Sequence, residues 1–235
     1  MSTRKLTVGM VLMAAACFGA RRPAATAGEQ ARQKARPDLL VYVESGNLVP
    51  FDVMQFAQQT AGRMFAGIGV RVQWATHPPA RSAEPAGTGC TSVQPETIVI
   101  QMASKGPGPA TGEALGSALP YARGGTRITV YYGALAEAIN PTPQLARALL
   151  AHTLVHEITH VLQGVVRHSS EGVMRAHWTA EDFGDMAYKP LEFTADDVNL
   201  IRRGLETRAS ERCTLTPSAP STPIFSSQPA SSAPR

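Results

Sequence analysis

The segment His156-Glu157-Ile158-Thr159-His160 combines residue types and spacing that would carry a reaction in this 235-residue chain. On a helix, positions four apart share one face, so both imidazoles would point at a single ion. Zinc suits such a pair, because it accepts neutral imidazole nitrogens and demands no particular d-electron geometry. Glu157 stands beside the first histidine, where it would reach a water at the ion without binding the metal itself. There it would accept the water's proton during attack on a peptide carbonyl and later pass it to the leaving amine.

A pattern this short also arises by chance on solvated helices, so its surroundings decide. Leu149, Leu150, Leu154, Val155, Val161 and Leu162 make the flanks apolar, which predicts a largely buried helix over residues 145–163. Pro141 and Pro143 stand before it and Gly164 after it, as expected at helix ends. Two histidines and a glutamate buried there without a partner would be costly, and an ion is such a partner. A catalytic zinc also needs a third protein ligand and an open position. Gly164 lets the chain reverse, which would return His168 to the metal. His152, one turn before His156, would close the site as a fourth histidine and reads better as a support or packing residue. His177 and Tyr188 are candidate donors to a developing oxyanion, with a plain structural role open for each. Met174 and Trp178 read as packing beneath the site.

With the run Gly164-Val165-Val166-Arg167-His168-Ser169-Ser170-Glu171-Gly172-Val173-Met174, the motif resembles the metzincin branch of the zincin metallopeptidases. In that branch the helix continues to a glycine turn, a third histidine and a methionine beneath the site. The resemblance is close over residues 156–174 and loose in the preceding order of strands and helices. The segment is also similar to bacterial secreted proteins in which H-E-x-x-H is followed by Leu, Gly, His-Ser, Gly-x-Met and Trp. Here those positions are Leu162, Gly164, His168, Ser169, Gly172, Met174 and Trp178. The resemblance implies a zincin-like fold, peptide-bond hydrolysis with Zn2+ as cofactor, His156, His160 and His168 as ligands, and Glu157 as general base and acid. The metzincin spacing is H-E-x-x-H-x-x-G-x-x-H. In this chain three residues separate His160 from Gly164 and three more precede His168, so the loop is two residues longer. Glu181 or Glu192 on a later helix is the alternative third ligand, as in thermolysin-like zincins, although the N-E-x-x-[SD]-like context of that branch is absent.

The elements that must position these residues are legible around them. Residues 38–43 form an apolar, β-branched run that reads as a buried strand. Over 51–65, Val53, Met54, Ala57, Ala61, Met64 and Phe65 fall at helical spacing between Pro50 and Gly67. Val70, Val72 and Trp74 then alternate with Arg71 and Gln73, completing a β-α-β unit with parallel strands. Further strands are expected at 97–102 and 126–132, with a Pro/Gly/Ala-rich loop at 77–89 and a glycine-rich connection at 104–116. A last helix starts at Thr194, with Asp197 three residues on as its capping partner. The fold class expected is α+β and zincin-like: a twisted, mainly parallel sheet of about four strands, a backing helix, the active-site helix and a small C-terminal helical part. An edge strand beside the cleft, 97–102 or 126–132, would align an extended peptide by main-chain pairing.

Both ends of the chain differ from this domain in composition. Arg4 and Lys5 precede an apolar run at 6–20 that falls short of a membrane span, and Ala25-Thr26-Ala27 offers a cleavage site. Residues 1–27 read as a signal peptide, 28–36 as a short linker, 37–213 as the domain and 214–235 as a disordered Ser/Pro/Ala-rich tail. The leader takes four basic residues and no acidic one, so the remainder carries 18 charges of each sign. That balance, with no basic stripe, argues against nucleic acid as a partner. A peptide or protein substrate is expected, without stable membrane insertion after cleavage, in a secreted, periplasmic or envelope location. Of the three cysteines, Cys17 leaves with the leader, so Cys90 and Cys213 would form one disulfide in an oxidising compartment. Two other functions stay open: a non-catalytic metal-binding protein on the same fold, and an envelope binding module whose histidines are incidental.

Overall fold

The computed structural model describes residues 37–78, 95–106, 114–120, 126–140 and 142–214, and the side chains among these except at 126 and 212–214. The expected leader and linker lie outside the described residues, as do Cys90, the side chain of Cys213 and the expected tail apart from Thr214, which ends the last helix.

Strand β1 (Leu39–Glu44) leads through helix α1 (Phe51–Gly67) to β2 (Val72–Ala75), and the two strands pair in parallel. Strand β3 (Glu96–Ala103) pairs in parallel with β1 on its other side, and β5 (Thr126–Tyr131) pairs in parallel with β3. The remaining strand, β4 (Gly116–Ala118), runs antiparallel to β5, giving a sheet of order β2-β1-β3-β5-β4. The register places Val41 beside Ile98 and Ile100 beside Ile128. All four are fully buried, so one face of the sheet is a continuous aliphatic layer.

Helix α2 (Tyr132–Ala138) follows β5 directly, and a 3-10 turn (Pro143–Leu145) leads into helix α3 (Ala146–Gln163). Residues 148–163 of α3 are all buried, so this helix is a central beam rather than a surface element. On it, α1 packs Ala57, Ala61 and Phe65. Helix α4 (Ala180–Tyr188) and helix α5 (Ala195–Thr214) complete the C-terminal part. Arg208 of α5 donates to the carbonyls of Val161 in α3 and Pro120 just after β4, and pairs with Glu96 at 3.3 Å. Among the described residues no helix is long and apolar enough to cross a membrane.

This is the mixed, mainly parallel α+β class expected from the sequence, with two corrections. The sheet has five strands, because β4 lies at the end of what reads as a glycine-rich connection. Consequently neither 97–102 nor 126–132 is an edge: each pairs on both sides, and β4 is the edge next to α3. A three-residue strand of small residues carries no alternation that sequence patterning can detect. Tyr132, expected at the end of a strand, is instead the first residue of α2.

Candidate metal centre

His156 and His160 project from one face of α3 with their Nε2 atoms 3.1 Å apart and their rings edge to face. The helix stops at Gly164, whose φ of 66° is left-handed and whose N–H caps the carbonyls of His160 and Val161. After that reversal the His168 ring comes to 5.2 Å from His156 and 4.9 Å from His160, measured between centroids. One ligand atom from each of the three histidines lies within 4.8 Å of the others.

A 3-10 turn (Gly172–Met174) fixes the orientation of the first ring. His156 Nδ1 lies 2.9 Å from the Val173 carbonyl. A carbonyl only accepts, so Nδ1 carries the proton and Nε2 is left bare toward the other two rings. Gly172 holds the turn at φ 73°, and a Cβ there would collide with the Glu192 carbonyl. That carbonyl also accepts from Val173 N–H at 3.0 Å, and Met174 is fully buried beneath. The Met174 carbonyl accepts from Ser169 N–H at 2.8 Å, so one turn orients His156 and anchors the residue beside His168.

The electrostatics favour neutral imidazoles. Burial pushes His156 down to about 4, against the opposing Val173 carbonyl and with help from His160 and His168. His160 is lowered first by burial and then by His168, while the Val165 backbone opposes the fall. His160 Nδ1 is nevertheless buried without a hydrogen bond of good geometry. His168 is lowered by burial and by His177. Three neutral rings with nitrogens converging on one point are the donor set that zinc accepts. Tetrahedral bonds of 2.0–2.1 Å would put two ligand atoms about 3.3 Å apart, close to the observed His156–His160 spacing. The residues present therefore fit the ion.

Glu157 faces the cleft beside this cluster. It is buried, and burial pushes its carboxyl up to about 8. Its side chain lies against β4, where a Cβ on Gly116 would stand only 2.7 Å from the Glu157 Cγ and Oε1. Glycine at that position lets the edge strand approach the carboxyl. The cleft, about 1010 Å³, runs between β4 and the C-terminal part and is lined by Gly116, Ala118, Thr153, Arg175, Trp178 and Phe183 as well as the cluster.

The remaining candidates take other positions. His152 uses both ring nitrogens on backbone: Nδ1 donates to the Ala148 carbonyl at 2.7 Å, and Nε2 accepts from Leu191 N–H at 3.0 Å. It supports the join between α3 and the segment before α5. Glu192 is exposed and pairs with Lys189 at 2.7 Å, and neither it nor the exposed Glu181 belongs to the histidine cluster. Tyr188 is 93% exposed at the end of α4, away from the cleft lining, whereas His177 lines the cleft beside His168. Trp178 packs edge-on against His156 at 5.4 Å.

Two features escape sequence reading. Helix α4 opens with a Thr179–Asp182 capping box, the same signal read at Thr194 and Asp197, so pattern alone could have found it. The approach of Gly116 to Glu157 has no sequence signal. No family model matches the chain, and no curated protein matches it. Among solved structures, the chain is similar to the crystal structure of archaemetzincin from Methanopyrus kandleri. The match has 16% identity and a TM-score of 0.44, and covers 78% of this chain and 99% of that one.

Proposed function

We propose that this chain is a secreted zinc-dependent metallopeptidase, acting as an endopeptidase, with His156, His160 and His168 as the zinc ligands and Glu157 as general base and acid. The convergence of three imidazoles kept neutral by burial is the observation that carries this reading. His156, His160 and His168 would hold the zinc, which would supply Lewis acidity to a water and a peptide carbonyl. Glu157 lines the cleft beside the cluster, where its carboxylate would take the proton of the attacking water and return it to the leaving amine. The outer edge of β4, which pairs with no other strand among the described residues, would offer main-chain groups to an extended peptide, and the cleft has room for several of its residues. His177, on the cleft wall, is the candidate donor to the oxyanion. Export rests on the leader-like residues 1–27.

The test is zinc per chain by elemental mass spectrometry after stripping and reconstitution, read beside cleavage of a peptide library. About one zinc, with cleavage that Glu157→Gln abolishes and zinc that it retains, is the expected result. A chain that takes up no zinc ends the reading. Zinc without cleavage leaves a non-catalytic metal-binding protein. The mass of the chain recovered outside the cytoplasm checks the removal of residues 1–27.

A further inference from the structure

Asp197 is fully shielded from solvent, on a helix that contributes nothing to the histidine cluster. Its two oxygens have different partners. Oδ2 accepts from the backbone N–H and hydroxyl of Thr194, at 3.1 and 2.7 Å, and so caps α5. Oδ1 accepts from the Ser169 hydroxyl at 2.7 Å, the Arg167 guanidinium at 3.1 Å and the Gln163 amide at 3.3 Å. A helix cap needs only the first oxygen. The partners of the second sit at the end of α3 and on either side of His168.

His168 itself lacks what His156 has. Among the described residues its ring makes no hydrogen bond, and it stands on an exposed loop. A flexible loop would spend part of the binding free energy on ordering its ligand. This loop also carries three residues between Gly164 and His168, which gives the ring more ways to miss the ion. Both neighbours of His168 are tied to one buried carboxylate, and Ser169 is tied a second time through its N–H to Met174.

We propose that Asp197 is a positioning residue for the third ligand: by holding Arg167 and Ser169, it presets His168 at the cluster before any ion arrives. The proposal rests on the reading of the three histidines as ligands. It separates the two oxygens of one side chain, because only the Oδ1 bonds reach the neighbours of His168, whereas the Oδ2 bonds cap the helix.

The experiment compares variants that cut one side at a time, reading the zinc dissociation constant by chelator competition and the melting temperature of the zinc-free chain. Arg167→Ala/Ser169→Ala should weaken zinc binding by roughly 10- to 100-fold, the range seen when groups supporting a ligand are removed, and should also lower zinc-free melting, because a buried carboxylate loses partners. Thr194→Val should lower the zinc-free melting temperature and leave zinc affinity unchanged. Ser169→Thr, which keeps the hydroxyl, should restore affinity, and Ser169→Ala alone carries the test if the double variant does not fold. Zinc bound equally by wild type and the Oδ1-side variants overturns the positioning role alone. Equal loss of affinity in Thr194→Val also overturns it, since Asp197 would then act only by holding α5. No zinc in the wild type overturns the ligand reading and the positioning role with it.

Discussion

His156 and His160 stand one turn apart on a helix buried along nearly its whole length, whereas His168 stands on an exposed loop whose neighbour Arg167 is tied to Asp197, 30 residues further along the chain. The first two need only the helical period to face one another. The third needs a left-handed glycine, a 3-10 turn that accepts from Ser169 N–H and a buried carboxylate before its ring can join them. A metal site can thus be rigid on one side by local geometry and on the other by tertiary contacts. The two sides should then fail differently.

The largest effect is expected on the helix side. Glu157→Gln should lower kcat by roughly 10²- to 10⁴-fold, the usual contribution of a positioned acid–base group. Zinc content should stay the same, since the glutamate lies beside the cluster rather than in it. Measured rates within threefold of wild type would remove Glu157 from the chemistry.

Next comes the contrast between the proposed ligands. His160→Ala should abolish zinc retention, because it breaks the close Nε2 pair on the beam. His168→Ala should leave a weak two-histidine site, with affinity lower by at least roughly 100-fold. Equal zinc retention in His168→Ala and wild type would transfer the third ligand elsewhere and dissolve the distinction between the two sides.

Proton linkage gives a smaller and pH-dependent effect. In the zinc-free chain the folded Glu157 titrates near 8 against an ordinary 4.5, so between these values the folded state holds a proton that the unfolded state has lost. Its stability contribution is therefore present below about 4.5 and is lost as the pH rises through 8. Glu157→Gln, which cannot ionise, should be more stable than wild type by up to a few kcal/mol at pH 8 and equal to it near pH 4. His156 has the opposite sense: folded near 4 against 6.5, it makes the chain lose stability as the pH falls from 6.5 to 4. Urea midpoints of both proteins across this range check the sign, and a gap that narrows toward pH 8 would refute the burial of Glu157.

The smallest change tests the loop side through the turn. Gly172→Ala would place a Cβ at positive φ against the Glu192 carbonyl, costing about 1–3 kcal/mol. Because Val173 of that turn orients His156, zinc affinity should fall with it. Unchanged thermal stability in this variant would show that the turn adapts without strain.

Much of the helix side was legible in the sequence. Apolar flanks predicted burial, the four-residue spacing predicted the shared face, and Gly164 predicted the stop, because each is a short-range consequence of helical periodicity or of the left-handed backbone that glycine tolerates. The β-α-β unit and the capping pair Thr194–Asp197 were legible for the same reason. Less of the cleft was. Strand β4 escaped because three small residues carry no alternation, so the expected edge was assigned to strands that turn out to be interior. The return of His168 could be suggested by a glycine and a resemblance, but its loop spacing departs from the metzincin pattern, and the sequence offered Glu181 and Glu192 as rivals.

The sequence by itself determined which side chains share the buried face of α3 and which chemistry they suit. Those facts follow from the 3.6-residue turn and from the donor atoms of histidine and glutamate. Only the tertiary structure decided that His168 joins the cluster, that His152 is spent on backbone groups, and that Glu157 lies under a glycine of an edge strand. The physical reason is that each of these depends on groups distant in sequence meeting within a few ångströms. Sequence periodicity cannot encode such a meeting, but a packed core around a central helix imposes it.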